Sequence, residues 1–228
     1  MGNDLLLAGG LALLWFVSGT GKTGAQSVKP GRRATKPAIG PRSTPTQCEY
    51  STYAWSSRLG RAVDRRTVSK GYGEVSGEER STIDPRCTIC EGDQVWIDLP
   101  GVEPFRACWA HASSIETALL AAMNQGAVIE EVVGYRPGRT GGPLDAEGRR
   151  TELGSHAYGL ALDVNPDQNG MYSGGQLRHG GEYRPDSGDP RTITRDSPIY
   201  RELTKAGFGW DGDRDRSFDD WMHFSYGA

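Results

Sequence analysis

Ser155-His156-Ala157-Tyr158-Gly159-Leu160-Ala161-Leu162-Asp163-Val164-Asn165 is the stretch around which the rest of the chain organises. Read as a strand with alternating side chains, Leu160, Leu162 and Val164 point one way and Gly159, Ala161 and Asp163 the other. The apolar set faces a core. The carboxylate shares its face with the two smallest side chains, which leaves room above the strand for an ion and a ligand. His156 precedes the strand, where a turn brings its ring back over that space. A carboxylate oxygen beside imidazole nitrogens is a donor set that zinc accepts, and three protein ligands leave a fourth position open. Asp220-Trp221-Met222-His223 supplies the third ligand. On a helical turn, residues three apart project to one side, so His223 completes the set with Asp220 close by as a general base. Spacing alone leaves a second reading open, in which His156 and Asp163 form a buried ion pair and Asp219 to His223 is a solvated terminus.

Upstream, Ala127 to Tyr135 is apolar and β-branched (Val128, Ile129, Val132, Val133) and reads as a strand ending at Arg136-Pro137-Gly138-Arg139, with a polar, glycine-rich loop running on to Thr151. Cys108, Ala112, Ile115, Leu119 and Met123 recur at helical spacing and Gly126 follows as a stop, which gives a core helix. His111, beside that stripe, reads as a packed or hydrogen-bonded residue. Gln94 to Leu99 is a strand, and the rest of residues 48–104 carries no assigned chemistry. Downstream, the loop from Asp167 to Asp196 is long, and its His179 reads as a solvated residue, with lid or substrate contact as the lesser alternative. Ser197 and Pro198 open a helix with Ile199 and Leu203 on its apolar face, and Gly207 closes it. Helix, strand, loop, strand, long loop, helix and a terminal element make an α+β domain.

The 228 residues suffice for one well-cored domain with appendages, and 32 glycines with a 36% apolar share suggest a small core carrying long loops. A net charge of −3, with no run that pairs basic residues with stacking aromatics, excludes nucleic acid as the expected partner. Leu5 to Val17 is almost unbroken apolar sequence, and no charge falls between Asp4 and Lys22. The segment suits an anchor or an atypical export signal, with membrane contact through residues 5–21, although the basic residues follow it rather than precede it. Gly19-Thr20-Gly21-Lys22-Thr23 resembles the end of a phosphate-binding loop, but Phe16 stands where its first glycine belongs. The basic, Pro/Gly-rich linker beyond suits an anionic lipid or wall polymer. Cys48, Cys87, Cys90 and Cys108 form an even set behind a hydrophobic leader, which favours structural disulfides over a redox or zinc-ribbon reading of Cys87-Thr88-Ile89-Cys90. Three pairings remain open.

Ser155 to Asn165, continuing as Pro166-Asp167-Gln168-Asn169, resembles the SxHxxGxAxD-type motif and the asparagine-rich run after it in the D-alanyl-D-alanine carboxypeptidase and L-alanyl-D-glutamate endopeptidase family. Gly207-Phe208-Gly209-Trp210 through Asp220-Trp221-Met222-His223-Phe224 resembles that family's closing motif. The resemblance implies the Hedgehog/DD-peptidase fold, a small antiparallel sheet with flanking helices. It implies one Zn2+ held by His156, Asp163 and His223, with Asp220 as the catalytic carboxylate. The implied substrate is a peptidoglycan stem peptide, cut at its terminal D-alanine or within it. Family members place an arginine after the strand preceding the metal motif, where it polarises the scissile carbonyl. Arg136 in Gly134-Tyr135-Arg136 is the match and Arg139 its competitor, with Tyr135, Arg139 and Ser155 as expected substrate contacts. One departure stands out. The family's serine lies two residues before the first histidine, where this chain has Gly154, so the position of Ser155 alters a substrate hydrogen bond.

The expected organisation is an apolar anchor or signal over 1–26, a linker over 27–47, an N-terminal extension over 48–104 and a zinc peptidase domain over 105–228. The expected setting is the cell envelope, membrane-anchored or secreted, with a virion-associated lysis or entry protein as a variant. The rival from another class is a wall-binding module that keeps the fold without turnover.

Overall fold

A computed structural model of the protein describes residues 44–214 and 218–228, so the leader, the phosphate-loop look-alike and all but the last four residues of the linker lie outside the described residues. Among the described residues no helix is long and apolar enough to cross a membrane.

The first described elements form a long antiparallel hairpin, β1 (Gln47–Ser56) and β2 (Arg61–Gly71). A shorter one follows, β3 (Gln94–Ile97) with β4 (Phe105–Cys108). Helix α1 (Ala112–Asn124) precedes β5 (Val132–Val133) and a third hairpin, β6 (Gly138–Leu144) with β7 (Arg150–Leu153). A 3-10 turn at Ser155–Tyr158 leads into β8 (Ala161–Val164). After it come the hairpin β9 (Met171–Ser173) and β10 (Gln176–His179), helix α2 (Pro198–Lys205), β11 (Phe208–Trp210), β12 (Phe218–Asp220) and β13 (His223–Tyr226).

β11, β13, β8 and β5 form an antiparallel sheet in that order. Leu162, Val164 and Phe224 from this sheet meet Ile115 and Leu119 of α1 and Ile199 and Leu203 of α2 in the main core. The α+β class follows from this packing of two helices with an antiparallel sheet. A second sheet runs β2-β1-β6-β7, with β1 and β6 parallel, and a third β10-β9-β12.

Four sequence readings change. The stripe from Cys108 is helical only from Ala112, because Cys108 ends β4 and is held there by a disulfide and by its amide bond to the Gly159 carbonyl (3.0 Å). The strand expected over 127–135 shrinks to β5, because residues 128–131 bond to the Asn165 side chain: it accepts from Glu130 N (2.8 Å) and donates to Val128 O (2.8 Å). The loop to Thr151 and the loop from Asp167 each contain a hairpin. The Ser197–Pro198 helix start holds, with Ser197 Oγ accepting from Tyr200 N.

All four cysteines are paired, Cys48 with Cys90 and Cys87 with Cys108, so neither member of the CxxC bonds to the other. Both bridges pin residues 87–90 between β1 and β4.

Candidate metal centre

Asp163 on β8 and His223 on β13 are directly opposed in the antiparallel register, which puts their side chains on one face a few ångströms apart. His156 arrives from the 3-10 turn before β8. Its Nδ1 donates to the Gly134 carbonyl (2.8 Å), which fixes the tautomer and leaves the Nε2 lone pair facing inward. That Nε2 lies 3.1 Å from Asp163 Oδ1 and 3.2 Å from His223 Nδ1, and His223 Nδ1 lies 2.9 Å from the same carboxylate oxygen. One donor atom from each of the three residues falls within 4.8 Å of the others.

Arg136, just past β5, donates from Nη2 to Asp163 Oδ2 (2.8 Å), the oxygen turned away from the histidines. Its backbone N donates to the His156 carbonyl (3.0 Å), tying the arginine to the turn that carries the first ligand. Asp220 ends β12, paired with Met171 of β9. The expectation that Asp220 and His223 share a helical turn is corrected. A turn at Trp221–Met222 links two strands, and Met222 O accepts from Val164 N (2.9 Å) to lock that turn beside β8.

The electrostatics separate the two carboxylates. Burial opposes ionisation of Asp163, but His156 and His223 outweigh it and hold the carboxyl well below its usual range. Asp220 has no such bonds, and burial, reinforced by the charge of Asp163, pushes it up to about 7. Burial lowers the His156 pKa, whereas for His223 the bond to Asp163 overrides burial and raises it. Two buried polar atoms at the site, Asp220 Oδ1 and Arg136 Nε, have no hydrogen-bond partner. Converging imidazole and carboxylate donors, with an unspent carboxylate beside them, fit a divalent metal of zinc's preferences.

The remaining candidates are placed differently. Arg139 on β6 bonds to Glu78 (3.1 Å) and the Thr151 carbonyl, in a surface cleft with Tyr158, rather than to the triad. Tyr135, expected as a substrate contact, is buried, and its hydroxyl donates to the Ile89 carbonyl (2.6 Å). Ser155 is half-buried on the turn with His156. A Cβ at Gly154 would stand 3.2 Å from Thr140 Oγ1, so that hydroxyl faces the place of the displaced serine. Gly159 does not make room for an ion. It sits at φ +67°, and a Cβ there would collide with Gln94 Oε1 and the Cys108 amide nitrogen.

His111 is buried, with Nε2 2.8 Å from Asp84 Oδ2 and its ring against Tyr226, as expected of a structural histidine. Asp84, Cys87 and His111 also converge, but Cys87 is spent in a disulfide and offers no thiolate. His179 is exposed on β10.

Other supports escaped the sequence. Asn165, at φ 48°, and Asn169 are buried, and their amides bond residues 128–131, 164–165 and 191–193 around the end of β8. Tyr183 stacks on Trp221 (4.2 Å, 8° between planes), so the long segment after β8 braces the turn between Asp220 and His223. Only the asparagine-rich run was visible beforehand, and nothing in its spacing indicated a clamp.

Two imidazoles and a carboxylate converge as a set that could hold a metal ion, beside a second carboxylate whose pKa is pushed up to about 7, a combination compatible with hydrolytic chemistry. The family model described as D-alanyl-D-alanine carboxypeptidase matches residues 147–226. This supports the family read from the motifs, over the segment that carries His156, Asp163, Asp220 and His223. At family level the match supports a peptidase acting on peptidoglycan. Arg136 and α1 precede the matched residues. No curated protein and no solved structure matches the chain.

Proposed function

We propose that the protein is a zinc-dependent peptidase of the Hedgehog/DD-peptidase fold that hydrolyses peptidoglycan stem peptides, with residues 105–228 as the catalytic domain and residues 48–104 as an extension that buttresses it. The observation that carries this reading is the placement of His156 Nε2, Asp163 Oδ1 and His223 Nδ1 within 4.8 Å of one another, beside the unpartnered Asp220 Oδ1. His156, Asp163 and His223 would hold the metal, which when bound supplies Lewis-acid polarisation of a carbonyl and lowers the pKa of water.

The rest of the chemistry belongs to the chain's own groups. Gly134 O orients His156, and Arg136 Nη2 orients Asp163 through its second oxygen. Asp220, held near 7, takes a proton from the attacking water and returns it to the leaving amine. The Arg136 side chain is 40% exposed, and the part of its guanidinium not bonded to Asp163 would donate to the substrate carbonyl as charge develops there. The protein would work at the cell envelope, where the substrate is found and where disulfides persist.

Mass spectrometry of muropeptides digested by the purified protein identifies the bond, and elemental analysis identifies the metal. We expect about one zinc per chain and loss of cleavage in His156→Ala. Cleavage retained in that variant refutes the assignment. Zinc bound without cleavage of any muropeptide would instead favour the wall-binding module.

A further inference from the structure

The tips of two hairpins meet at one end of the β2-β1-β6-β7 sheet. Ser57 N donates to Gly148 O (2.9 Å), and Arg149 joins them by pairing with Asp64 (2.8 Å). Three large apolar side chains stand in water on these tips: Trp55 (39% exposed), Leu59 (51%) and Leu144 (49%). Arg58 and Arg61 are exposed beside them, and among the described residues neither has an acidic partner.

Charge is distributed to match. Residues 47–71 hold Arg58, Arg61, Arg65, Arg66 and Lys70 against Glu49 and Asp64, a net of +3, of which Lys70 is paired with Glu79 (2.5 Å), and the adjoining β6–β7 turn adds Asp145 and Glu147 balanced by Arg149 and Arg150. Residues 72–228 hold 15 Lys and Arg against 26 Asp and Glu, a net of −11. A negatively charged surface therefore attracts this hairpin and repels the body that carries the metal site. Arginines alone would suit any polyanion. Trp55 and Leu59 between them need a surface that also accepts apolar groups, and the headgroup region of a bilayer does so.

We propose that the β1–β2 tip, with Leu144, docks the protein on an anionic lipid bilayer, Trp55 and Leu59 entering the interface and Arg58 and Arg61 meeting lipid phosphates. The same sheet sets the stand-off. β6 runs seven residues from Gly138, two past Arg136, to Leu144 at the tip. At about 3.3 Å per residue the metal-site end of the sheet is held about 20 Å from the docked end.

The test uses the full chain with a spin label on Leu59→Cys, and a control label on Lys205→Cys of α2. Accessibility to oxygen and to a water-soluble nickel chelate is measured on phosphatidylglycerol-containing vesicles, on phosphatidylcholine vesicles and with soluble polyphosphate. We expect position 59 to gain oxygen and lose nickel access on the anionic vesicles alone, while position 205 stays in water. Adding Arg58→Glu and Arg61→Glu to the labelled chain should lower insertion of position 59 on the order of tenfold or more, taking about 1 kcal/mol per basic residue near an anionic surface. Position 59 remaining water-accessible in vesicle-bound protein overturns the proposal, since the contact is then made elsewhere in the chain. Equal protection of position 59 by polyphosphate also overturns it, in favour of a soluble polyanion.

Discussion

Replacing Gly159 by alanine distinguishes two reasons for a small residue in the segment that carries His156 and Asp163. If glycine were there to leave space over the metal, a methyl group would impede substrate and raise KM while the fold stood. The structure gives another reason. Gly159 closes the turn that carries His156 at φ +67°, a region that costs a non-glycine residue about 1–2 kcal/mol. The new Cβ would also press on Gln94 Oε1 and the Cys108 amide, where β4 is fixed by the Cys87 bridge and by its bond to the Gly159 carbonyl. Overpacking of this kind costs about 1–3 kcal/mol more. The sum is about 2–5 kcal/mol, which for a domain of this size lowers Tm by about 4–20 °C. Relief of the clash would move the turn, so His156 should drift from Asp163 and His223 and zinc affinity should fall with stability. Calorimetry and a zinc titration of Gly159→Ala read both. An unchanged Tm and zinc affinity with only KM raised would refute the crowding argument and restore the open-space reading.

Asp220→Asn should lower kcat about 10²–10⁴-fold, the usual range for losing a general acid–base, while zinc content and Tm hold; steady-state kinetics with elemental analysis check it. Glu79 gives an acid limb. Burial would raise its carboxyl pKa, but bonds from Lys70, Tyr50 and Ser76 outweigh burial and hold it at about 2, against an ordinary 4.5. A depressed folded-state pKa contributes stability that is whole above about 4.5 and lost as pH falls toward 2, on the order of 3 kcal/mol, and Glu79→Gln should flatten the unfolding free energy over that window. Opening the Cys87–Cys108 bridge by replacing both with alanine frees a loop with a sequence separation of 21. The loss should be about 3 kcal/mol by chain entropy, seen as a lower urea midpoint, and zinc affinity should drop with it because Cys108 N supports Gly159.

The centre was legible in the sequence wherever local periodicity carried it. Alternation along Ala161 to Val164 put Asp163 opposite the core-facing Leu162 and Val164, and β8 is a strand because its apolar residues pack as that pattern requires. The Ser197–Pro198 start and the Ile199–Leu203 face made α2 equally readable. What failed depended on partners distant in the chain. Asp220 and His223 are three apart, which suits a helical turn, but β9 captures Asp220 and β8 captures His223, so the same spacing is realised as a turn between strands. Val128 and Ile129 have strand propensity, yet the nearby backbone bonds to the Asn165 side chain, because a buried amide must spend its donors and acceptors somewhere. Tyr135 beside Arg136 looked like part of one site, but adjacent residues diverge, and its hydroxyl meets the disulfide-pinned Ile89 segment. Residues 48–104, which carried no readable chemistry, therefore bear on the site from behind. They supply the carbonyl that holds Tyr135 and the side chain that crowds Gly159, and through the two bridges they fix the platform on which the His156 turn rests. The metal site proposed above, built on strand register, would need its ligands placed to within a fraction of an ångström, and the placement of His156, Asp163 and His223 rests on covalently stapled structure outside the family-matched residues.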